Sequence, residues 1–280
     1  MPRRTLESPV KLVGVGLHTG AQVAIECCPA PAGERIVFRR TDLKDQPLLP
    51  AHLEWVGATA RRTQLRRNGV TLDTVEHLLA AVAAEQLDDL IVEVNGPELP
   101  ILDGSFQPWI DALNAGGRMD QPGEPGRLRL EKSVELRDGE SEYRAVPWDS
   151  AVLSVTIEWP HPSIGRQSAE VELTADAFRW EIAGARTFGF AHEVEALRRE
   201  GLLKGATPAC AVVLGEGPVK QGDLRWPNEF ARHKLGDLAG DLMLLGGRLL
   251  ARIESTRPSH RGNVAFAAAI ARLTQPEGTR

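Results

Sequence analysis

A proline- and glycine-rich segment near the middle of the chain, Asp120-Gln-Pro-Gly-Glu-Pro-Gly126, limits the possible folds more than any other stretch. Proline cannot donate a backbone hydrogen bond and glycine favours turns, so neither a helix nor a strand is expected to continue through this segment. It divides the 280 residues into two pieces of similar size, each large enough for one domain. We therefore predict two domains, residues 1–122 and 127–280.

Strand-like and helix-like patterns occur on both sides of this segment. Apolar residues at helical spacing predict a helix that opens at Thr74. Because strands and helices are mixed without strict βαβ alternation, we predict an α+β fold in which each half is a sheet with helices on one face. The remaining predicted helices are 106–115, 193–203, 229–246 and 261–274, and the predicted strands are 23–28, 35–40, 90–94, 128–136, 151–159 and 209–214.

Composition excludes several classes of function. A net charge of −5 with only 5% aromatic residues argues against a nucleic-acid binder. The three cysteines, Cys27, Cys28 and Cys210, form no CxxC pair, which argues against a cysteine-built zinc site and fits a reducing compartment. No stretch approaches the roughly 18–20 apolar residues that span a bilayer, and no secretion signal is recognisable. We expect a soluble, cytoplasmic monomer.

The first candidate site is TVEH at 74–77, where a predicted helix begins. In one interpretation it is only a helix start, with Asp73 or Thr74 as the cap and Glu76 favoured by the helix dipole. In the other, Glu76 and His77 project from the side of the apolar face toward a cleft. There the imidazole would bind a metal ion and the carboxylate would take a proton from water. Both interpretations are open on these residues alone.

The second candidate site is HKLGDLAGD at 233–241, inside a predicted helix. His233, Asp237 and Asp241 are spaced four residues apart, so they line one side of that helix. Glycines lie between these polar positions, although glycine in a helix interior costs about 1 kcal/mol relative to alanine. We therefore expect another element to approach the helix closely there. Together with His77, the pair His233 and Asp237 would make a set of three metal ligands that leaves one position for water.

Two further stretches contain polar or aromatic residues, but their spacing does not connect them with a metal site. SHRGN at 259–263 begins the last predicted helix, where a lone histidine such as His260 is typically exposed to solvent. ARTFGF at 185–190 is typical of the end of a strand and a turn.

Six stretches together resemble the UDP-3-O-acyl-N-acetylglucosamine deacetylases, a family of zinc enzymes that commit bacteria to the synthesis of lipid A. They occur in the family's order and at its approximate spacing, and they extend over nearly the whole chain. The six stretches are GVGLHTG (14–20), TVEHLLAA (74–81), GPELPILDGS (96–105), ARTFGF (185–190), RHKLGDLAGD (232–241) and SHRGN (259–263).

The resemblance implies a catalytic role for each matched position. His77, His233 and Asp237 resemble the family's zinc ligands. Glu76 is similar to the general base that takes a proton from water. His260 is similar to the histidine that stabilises the charged intermediate and protonates the departing amine.

The resemblance also implies supporting and substrate-binding residues. Asp241 resembles the carboxylate that favours the imidazolium form of the catalytic histidine, and Thr187 resembles the hydroxyl that helps to polarise the developing oxyanion. Lys234 and Phe188 resemble substrate contacts. Trp159 is expected to take the place of the family's aromatic contact to uridine.

The fold that the resemblance implies is a β-α-α-β sandwich, in which two α+β domains enclose the active site between their helix layers. A βαβ insertion in the second domain would form an apolar passage for the acyl chain. In this chain the passage would run near residues 190–214, which include Leu197, Leu202 and Leu203.

The expected reaction is hydrolysis of the N-acetyl group of UDP-3-O-((R)-3-hydroxyacyl)-N-acetylglucosamine, with release of acetate and one Zn²⁺ per chain. A site of two histidines and one aspartate can also accept Fe²⁺ in vivo. The acyl chain implies transient, peripheral contact with a membrane. Two alternatives stay open: a zinc amidohydrolase acting on another acylated amino sugar, because 158–160 and 206–209 depart from the family's pattern, and a non-catalytic relative that binds a nucleotide-sugar lipid.

Overall fold

A computed structural model describes residues 2–220 and 222–276 of the chain. The part that precedes the proline- and glycine-rich segment contains a five-stranded sheet, two short strand pairs and two helices. In chain order these elements are β1 (Arg3–Leu6), β2 (Val10–Val15), β3 (Gln22–Pro29), β4 (Ile36–Arg40), β5 (Leu48–Pro50), a 3-10 turn (Leu53–Trp55), β6 (Leu65–Arg67), β7 (Val70–Leu72), α1 (Glu76–Ala84), β8 (Leu90–Val94), α2 (Gln107–Ala115) and β9 (Arg118–Gln121).

The part that follows the segment contains a seven-stranded sheet, one two-stranded parallel pair and four helices. In chain order these elements are β10 (Arg127–Leu130), β11 (Val134–Asp138), β12 (Ser141–Pro147), β13 (Ala151–Trp159), β14 (Gly165–Glu172), α3 (Ala175–Glu181), β15 (Phe188–Phe190), α4 (Ala191–Arg199), β16 (Val212–Leu214), α5 (Glu229–Met243), β17 (Arg248–Thr256), α6 (His260–Ala271) and β18 (Thr274–Pro276).

The strand order confirms the predicted α+β class. The first sheet has the order β2-β3-β8-β4-β5, and only β4 and β8 run parallel in it. In the second sheet β17 pairs with β10, β12 and β13, and β14 lies beside β13. Each sheet of the described chain takes its strands from one side of residues 122–126. The exact domain boundaries stay a prediction.

Several predicted elements differ from the observed ones in extent. The predicted strand 128–136 is two strands, because the chain turns between Leu130 and Val134. The strand predicted at 209–214 is only β16, and the helix predicted at 193–203 is α4, which ends at Arg199 just before Gly201 adopts a positive φ of 82°. The helix α3, which Thr174 caps through its side chain, was not predicted.

The prediction that Asp73 or Thr74 caps the first helix is wrong. The N-cap of α1 is Val75, and no side chain caps the helix there. Thr74 adopts a left-handed backbone conformation with φ of 59°, and its hydroxyl donates to Glu98 Oε1 at 3.0 Å instead. Asp73 accepts a hydrogen bond from Gln64 at 2.6 Å. Asp73 and Thr74 therefore fix the segment that leads into α1 and do not cap the helix N-terminus.

Helices α1 and α5 pack directly against each other between the two sheets. The close approach expected at the glycines of α5 is confirmed. A Cβ on Gly240 would overlap the carbonyl oxygen of Glu76 and lie 3.1 Å from the backbone nitrogen of Ala80. A Cβ on Gly236 would overlap the ring of Phe106. Because glycine has no side chain, the two backbones meet here.

Among the described residues, no helix has the length and apolar character needed to cross a bilayer.

The substitution Gly240→Ala tests the backbone contact between α1 and α5. We expect it to lower the free energy of unfolding by about 1–3 kcal/mol, because the added carbon overlaps a backbone atom that cannot rotate away. Alanine has a higher helix propensity than glycine, so propensity alone would raise the free energy of unfolding. A decrease therefore indicates that the packing contact outweighs helix propensity. Urea denaturation gives the measurement, and Gly217→Ala, with nothing within 4 Å of the added carbon, is the matched control. A Gly240→Ala protein as stable as the wild type would contradict the packing.

Candidate active site

Two histidines and one aspartate meet where α1 faces α5. One nitrogen each of His77 and His233 and one carboxylate oxygen of Asp237 lie within 4.8 Å of one another, and all three residues are buried. Nε2 of His77 is 3.7 Å from Asp237 Oδ1, and Nε2 of His233 is 3.4 Å from the same oxygen. The side of α5 that the i, i+4 spacing predicted therefore does face the histidine of α1.

Among the described residues, the hydrogen bonds around His77, His233 and Asp237 leave one carboxylate oxygen of Asp237 without a partner. Nδ1 of His233 lies 3.0 Å from the carbonyl oxygen of Ala185, to which it donates, so Nε2 keeps its lone pair. Lys234 Nζ donates to Asp237 Oδ2 at 2.8 Å, whereas Asp237 Oδ1 has no hydrogen-bond partner in the described chain. A buried carboxylate oxygen without a partner is costly, and a bound cation would satisfy it.

The protonation states of the three residues suit a cation. Burial lowers the pKa of His77 to about 3 and also lowers the pKa of His233, so both imidazoles are neutral at pH 7. Burial alone would raise the pKa of Asp237, but the ammonium of Lys234 and the neighbouring histidines outweigh it, and the net shift is downward. Two neutral imidazoles and one carboxylate are a donor set that divalent metals bind.

The ring of Phe106, at the start of α2, supports both histidines. Its centroid is 4.9 Å from that of His77 and 5.1 Å from that of His233, with which it stacks at 28°. The absence of a side chain at Gly236 leaves room for this ring. Phe106 carries no sequence signal of its own, although Gly236, which faces it, predicts a close approach to α5.

A glutamate and a histidine lie beside the three-residue group. Glu76 Oε1 is 4.0 Å from Nε2 of His260, and this nitrogen is 3.8 Å from Asp237 Oδ2. The other carboxylate oxygen of Glu76 accepts a hydrogen bond from the backbone nitrogen of Thr63 at 3.1 Å. Burial raises the pKa of Glu76 to about 8. His260 is buried, contrary to the exposure typical of a lone histidine at a helix start.

Asp241 holds His260 from the side away from Glu76. Its Oδ2 accepts from His260 Nδ1 at 2.9 Å and from Asn263 Nδ2 at 2.8 Å, while its Oδ1 accepts from the Thr63 hydroxyl at 2.5 Å. Burial lowers the pKa of His260, but the Asp241 carboxylate outweighs burial and raises it to about 9. Neither Thr63 nor Asn263 was predicted as a site residue, and of the two only Asn263 lies in one of the six family-like stretches.

The predicted aromatic contacts meet each other outside this group. The ring of Phe188 lies 5.8 Å from that of Trp159 and 4.8 Å from that of Phe230, edge-on in both cases. Thr187 precedes Phe188, and its backbone nitrogen donates to the Gly104 carbonyl at 2.8 Å. The structure thus brings Trp159 and Phe188 together. Phe188 begins β15, three residues after Ala185, whose carbonyl oxygen binds His233.

The predicted insertion is visible as a small βαβ unit. Strands β15 and β16 pair in parallel, and α4 connects them. Leu197 on α4 is buried, whereas Leu202 and Leu203 in the following loop are partly exposed. Glu193 of α4 pairs with Arg61 at 3.0 Å, which ties the unit to the loop that carries Thr63. Leu197 thus lies on α4 of this unit, and Leu202 and Leu203 lie in the loop between α4 and β16.

Comparison with known proteins identifies the family of this chain. A sequence model of UDP-3-O-acyl N-acetylglycosamine deacetylase matches residues 3–272. The chain is 40% identical over 266 residues to the UDP-3-O-acyl-N-acetylglucosamine deacetylase of Cellvibrio japonicus, covering 94% of this chain and 88% of that one. It is also 40% identical over 287 residues to the enzyme of that name from Xanthomonas euvesicatoria, covering 99% and 95%. The chain belongs to the UDP-3-O-acyl-N-acetylglucosamine deacetylase family.

Proposed function

We propose that this protein is a zinc-dependent hydrolase that removes the N-acetyl group from UDP-3-O-((R)-3-hydroxyacyl)-N-acetylglucosamine and releases acetate, the committed step of lipid A synthesis. The observation that carries the proposal is a buried donor set, His77, His233 and Asp237, with Glu76 and His260 beside it. The names of the relatives from Cellvibrio japonicus and Xanthomonas euvesicatoria support the same substrate class.

His77, His233 and Asp237 would hold the metal ion. The unpartnered Asp237 Oδ1, which faces Nε2 of both histidines, supports this assignment. When bound there, Zn²⁺ supplies a Lewis acid that polarises a carbonyl oxygen and makes water more acidic. Lys234 keeps Asp237 ionised, which favours a cation at this position, and it is also our candidate for a substrate contact.

Glu76 is the proposed general base. Its Oε2 is held by the backbone nitrogen of Thr63, and its Oε1 is the oxygen that lies 4.0 Å from Nε2 of His260. Burial alone disfavours the ionised form of Glu76, and a cation held by the neighbouring residues would favour it. As water attacks the acetamide carbon, the ionised carboxylate takes one of the water's protons. A positioned general base typically contributes about 10²–10⁴ to the rate.

His260 is the proposed general acid. An amide nitrogen cannot leave as an anion, so a proton must reach it as the carbon–nitrogen bond breaks. Asp241 holds Nδ1, which leaves the Nε2 proton of the imidazolium to be donated to the departing amine. Before that step the same positive charge stabilises the oxyanion that develops at the acetyl carbonyl.

The remaining assignments concern substrate binding. The Thr187 hydroxyl is proposed to donate to the developing oxyanion, which would add a few kcal/mol of stabilisation. Phe188 and Trp159, already in edge-to-face contact, are proposed to receive the nucleotide sugar. Leu197, Leu202 and Leu203 are proposed to line the passage for the acyl chain. The monomeric state, the cytoplasmic location, transient membrane contact and the use of Fe²⁺ in vivo stay predictions.

The reaction is tested by acetate release from the 3-O-myristoylated UDP-sugar. Metal-reconstituted wild type is expected to turn over, while Glu76→Ala and His260→Ala lose about 10²–10⁴ in kcat, because each lacks one of the two proton-transferring groups. The matched controls are Glu34→Ala, at an exposed position, and His52→Ala, at a histidine whose ring accepts a hydrogen bond from the backbone of Glu54.

Three outcomes separate the alternatives. No turnover by folded, zinc-loaded wild type on this substrate would contradict the proposal. Turnover of another acylated amino sugar would then favour the amidohydrolase alternative. Tight binding of the UDP-sugar without turnover would favour a non-catalytic relative.

The metal assignment predicts one zinc per wild-type chain after exhaustive dialysis. His233→Ala and Asp237→Ala are expected to retain well under one zinc, because each removes one of three protein ligands. His52→Ala is the control, and elemental analysis gives the stoichiometry. Chelation of the wild type should abolish acetate release, and added Zn²⁺ should restore it. Full zinc retention by either ligand variant would argue against this site.

The substitution Asp241→Asn tests the electrostatic support of His260. Removing the carboxylate charge is expected to lower the pKa of His260 from about 9, since that charge favours the imidazolium. An NMR titration of the ring in metal-free protein measures the shift. Because the acid must be protonated, the alkaline limb of the kcat/KM profile should move to lower pH as well. Asp138→Asn removes a partly exposed carboxylate that pairs with Arg261 and is the control. An unchanged pKa would refute the assignment.

A further inference from the structure

Thr63 connects the two proton-transferring residues, although nothing in its sequence context marks it. It lies in the loop between the 3-10 turn and β6, and its exposed fraction is 0%. Its backbone nitrogen donates to Glu76 Oε2 at 3.1 Å. Its hydroxyl donates to Asp241 Oδ1 at 2.5 Å and lies 3.2 Å from Nδ1 of His260. One residue of the first half of the chain thus contacts α1, α5 and α6.

The loop around Thr63 is fixed from both sides. The carbonyl oxygen of Thr63 accepts from the backbone nitrogen of Val75 at 3.3 Å. The flanking residues Arg62 and Gln64 both bind the carboxylate of Asp73, at 2.9 Å and 2.6 Å. These contacts hold the loop against the start of α1, so the position of the Thr63 hydroxyl is set before any ligand binds.

The number of protons available determines which atom donates in each hydrogen bond among Thr63, Asp241 and His260. A hydroxyl has one proton, and the charged oxygen of Asp241 at 2.5 Å is the acceptor that takes it. The Thr63 oxygen then offers a lone pair to Nδ1 of His260, which also donates to Asp241 Oδ2. Nδ1 therefore carries a proton, and Nε2 is the ring nitrogen directed at Glu76.

We propose that Thr63 is a positioning residue that sets the orientation of the Glu76 carboxylate relative to the His260 imidazole. It touches neither substrate nor metal and acts through Glu76, Asp241 and His260. The inference rests on the proposed function, because it assigns Thr63 to the orientation of that reaction's base and acid. Its consequence is that loss of the hydroxyl slows the chemical step without weakening substrate binding.

The substitutions Thr63→Val and Thr63→Ser separate the hydroxyl from the shape of the side chain. Valine keeps the volume and the backbone bond to Glu76 but leaves Asp241 Oδ1 without its donor, whereas serine keeps the hydroxyl. Steady-state acetate release is expected to give a kcat about 10- to 100-fold lower for Thr63→Val, with KM within about twofold of wild type. Thr63→Ser should restore most of the kcat.

The matched control is Thr5→Val. Thr5 is equally buried, and its hydroxyl accepts from the backbone nitrogen of Ala30 at 3.0 Å, far from the site. Both valine variants should lower the melting temperature, but only Thr63→Val should lower kcat. A kcat for Thr63→Val equal to that of Thr5→Val, or a fall in kcat that Thr63→Ser does not reverse, would overturn the inference.

A substrate-free measurement keeps the inference separate from the proposed reaction. In zinc-loaded protein, the Nδ1 proton of His260 is expected to give a downfield NMR signal, assigned by its loss in His260→Ala. This signal should be weakened by exchange with water in Thr63→Val and retained in Thr63→Ser and Thr5→Val. If wild type releases no acetate but the signals follow this pattern, the proposed function fails while the positioning role stands. An unchanged signal in Thr63→Val refutes the positioning role whatever the activity.

Discussion

The direct contact between α1 and α5 is the constraint on which the rest of the site depends. At Gly240 the backbone of α5 meets the backbone of α1 at Glu76, with no side chain between them. Only at this separation do the short side chains of α5 reach those of α1. His77 and Asp237 come from different halves of the chain, yet Nε2 and Oδ1 are 3.7 Å apart. A bulkier residue at this crossing would move the helix faces that carry His77 and Asp237 away from each other.

Close packing also creates the electrostatic conditions of the site. Excluding water keeps the imidazoles of His77 and His233 neutral and raises the pKa of Glu76. The charges that remain are paired: Lys234 with Asp237, and His260 with Asp241. One helix therefore provides both aspartates: the ammonium of Lys234 favours the ionised form of Asp237, and Asp241 raises the pKa of His260.

Local sequence pattern and family resemblance together predicted most of the residues that the structure brings together at the candidate site. Periodicity located α1 and α5, and the i, i+4, i+8 spacing put His233, Asp237 and Asp241 on one face. His260 could be found only through resemblance, because a histidine at a helix start carries no local signal. Thr63 was missed for a stronger reason, since its partners are 13, 178 and 197 residues away in the chain.

The amino-acid sequence by itself determined the α+β class, the positions of the main helices and strands, the glycine positions on α5 and the side of that helix carrying its polar residues. These follow from local preferences and from spacing along one element. Tertiary structure decided which elements meet, and therefore that Phe106 supports the histidines, that Thr74 binds Glu98 rather than capping α1, and that Thr63 connects Glu76 with His260. Hydrogen bonds between distant segments depend on the packing of whole helices, and no local pattern encodes them.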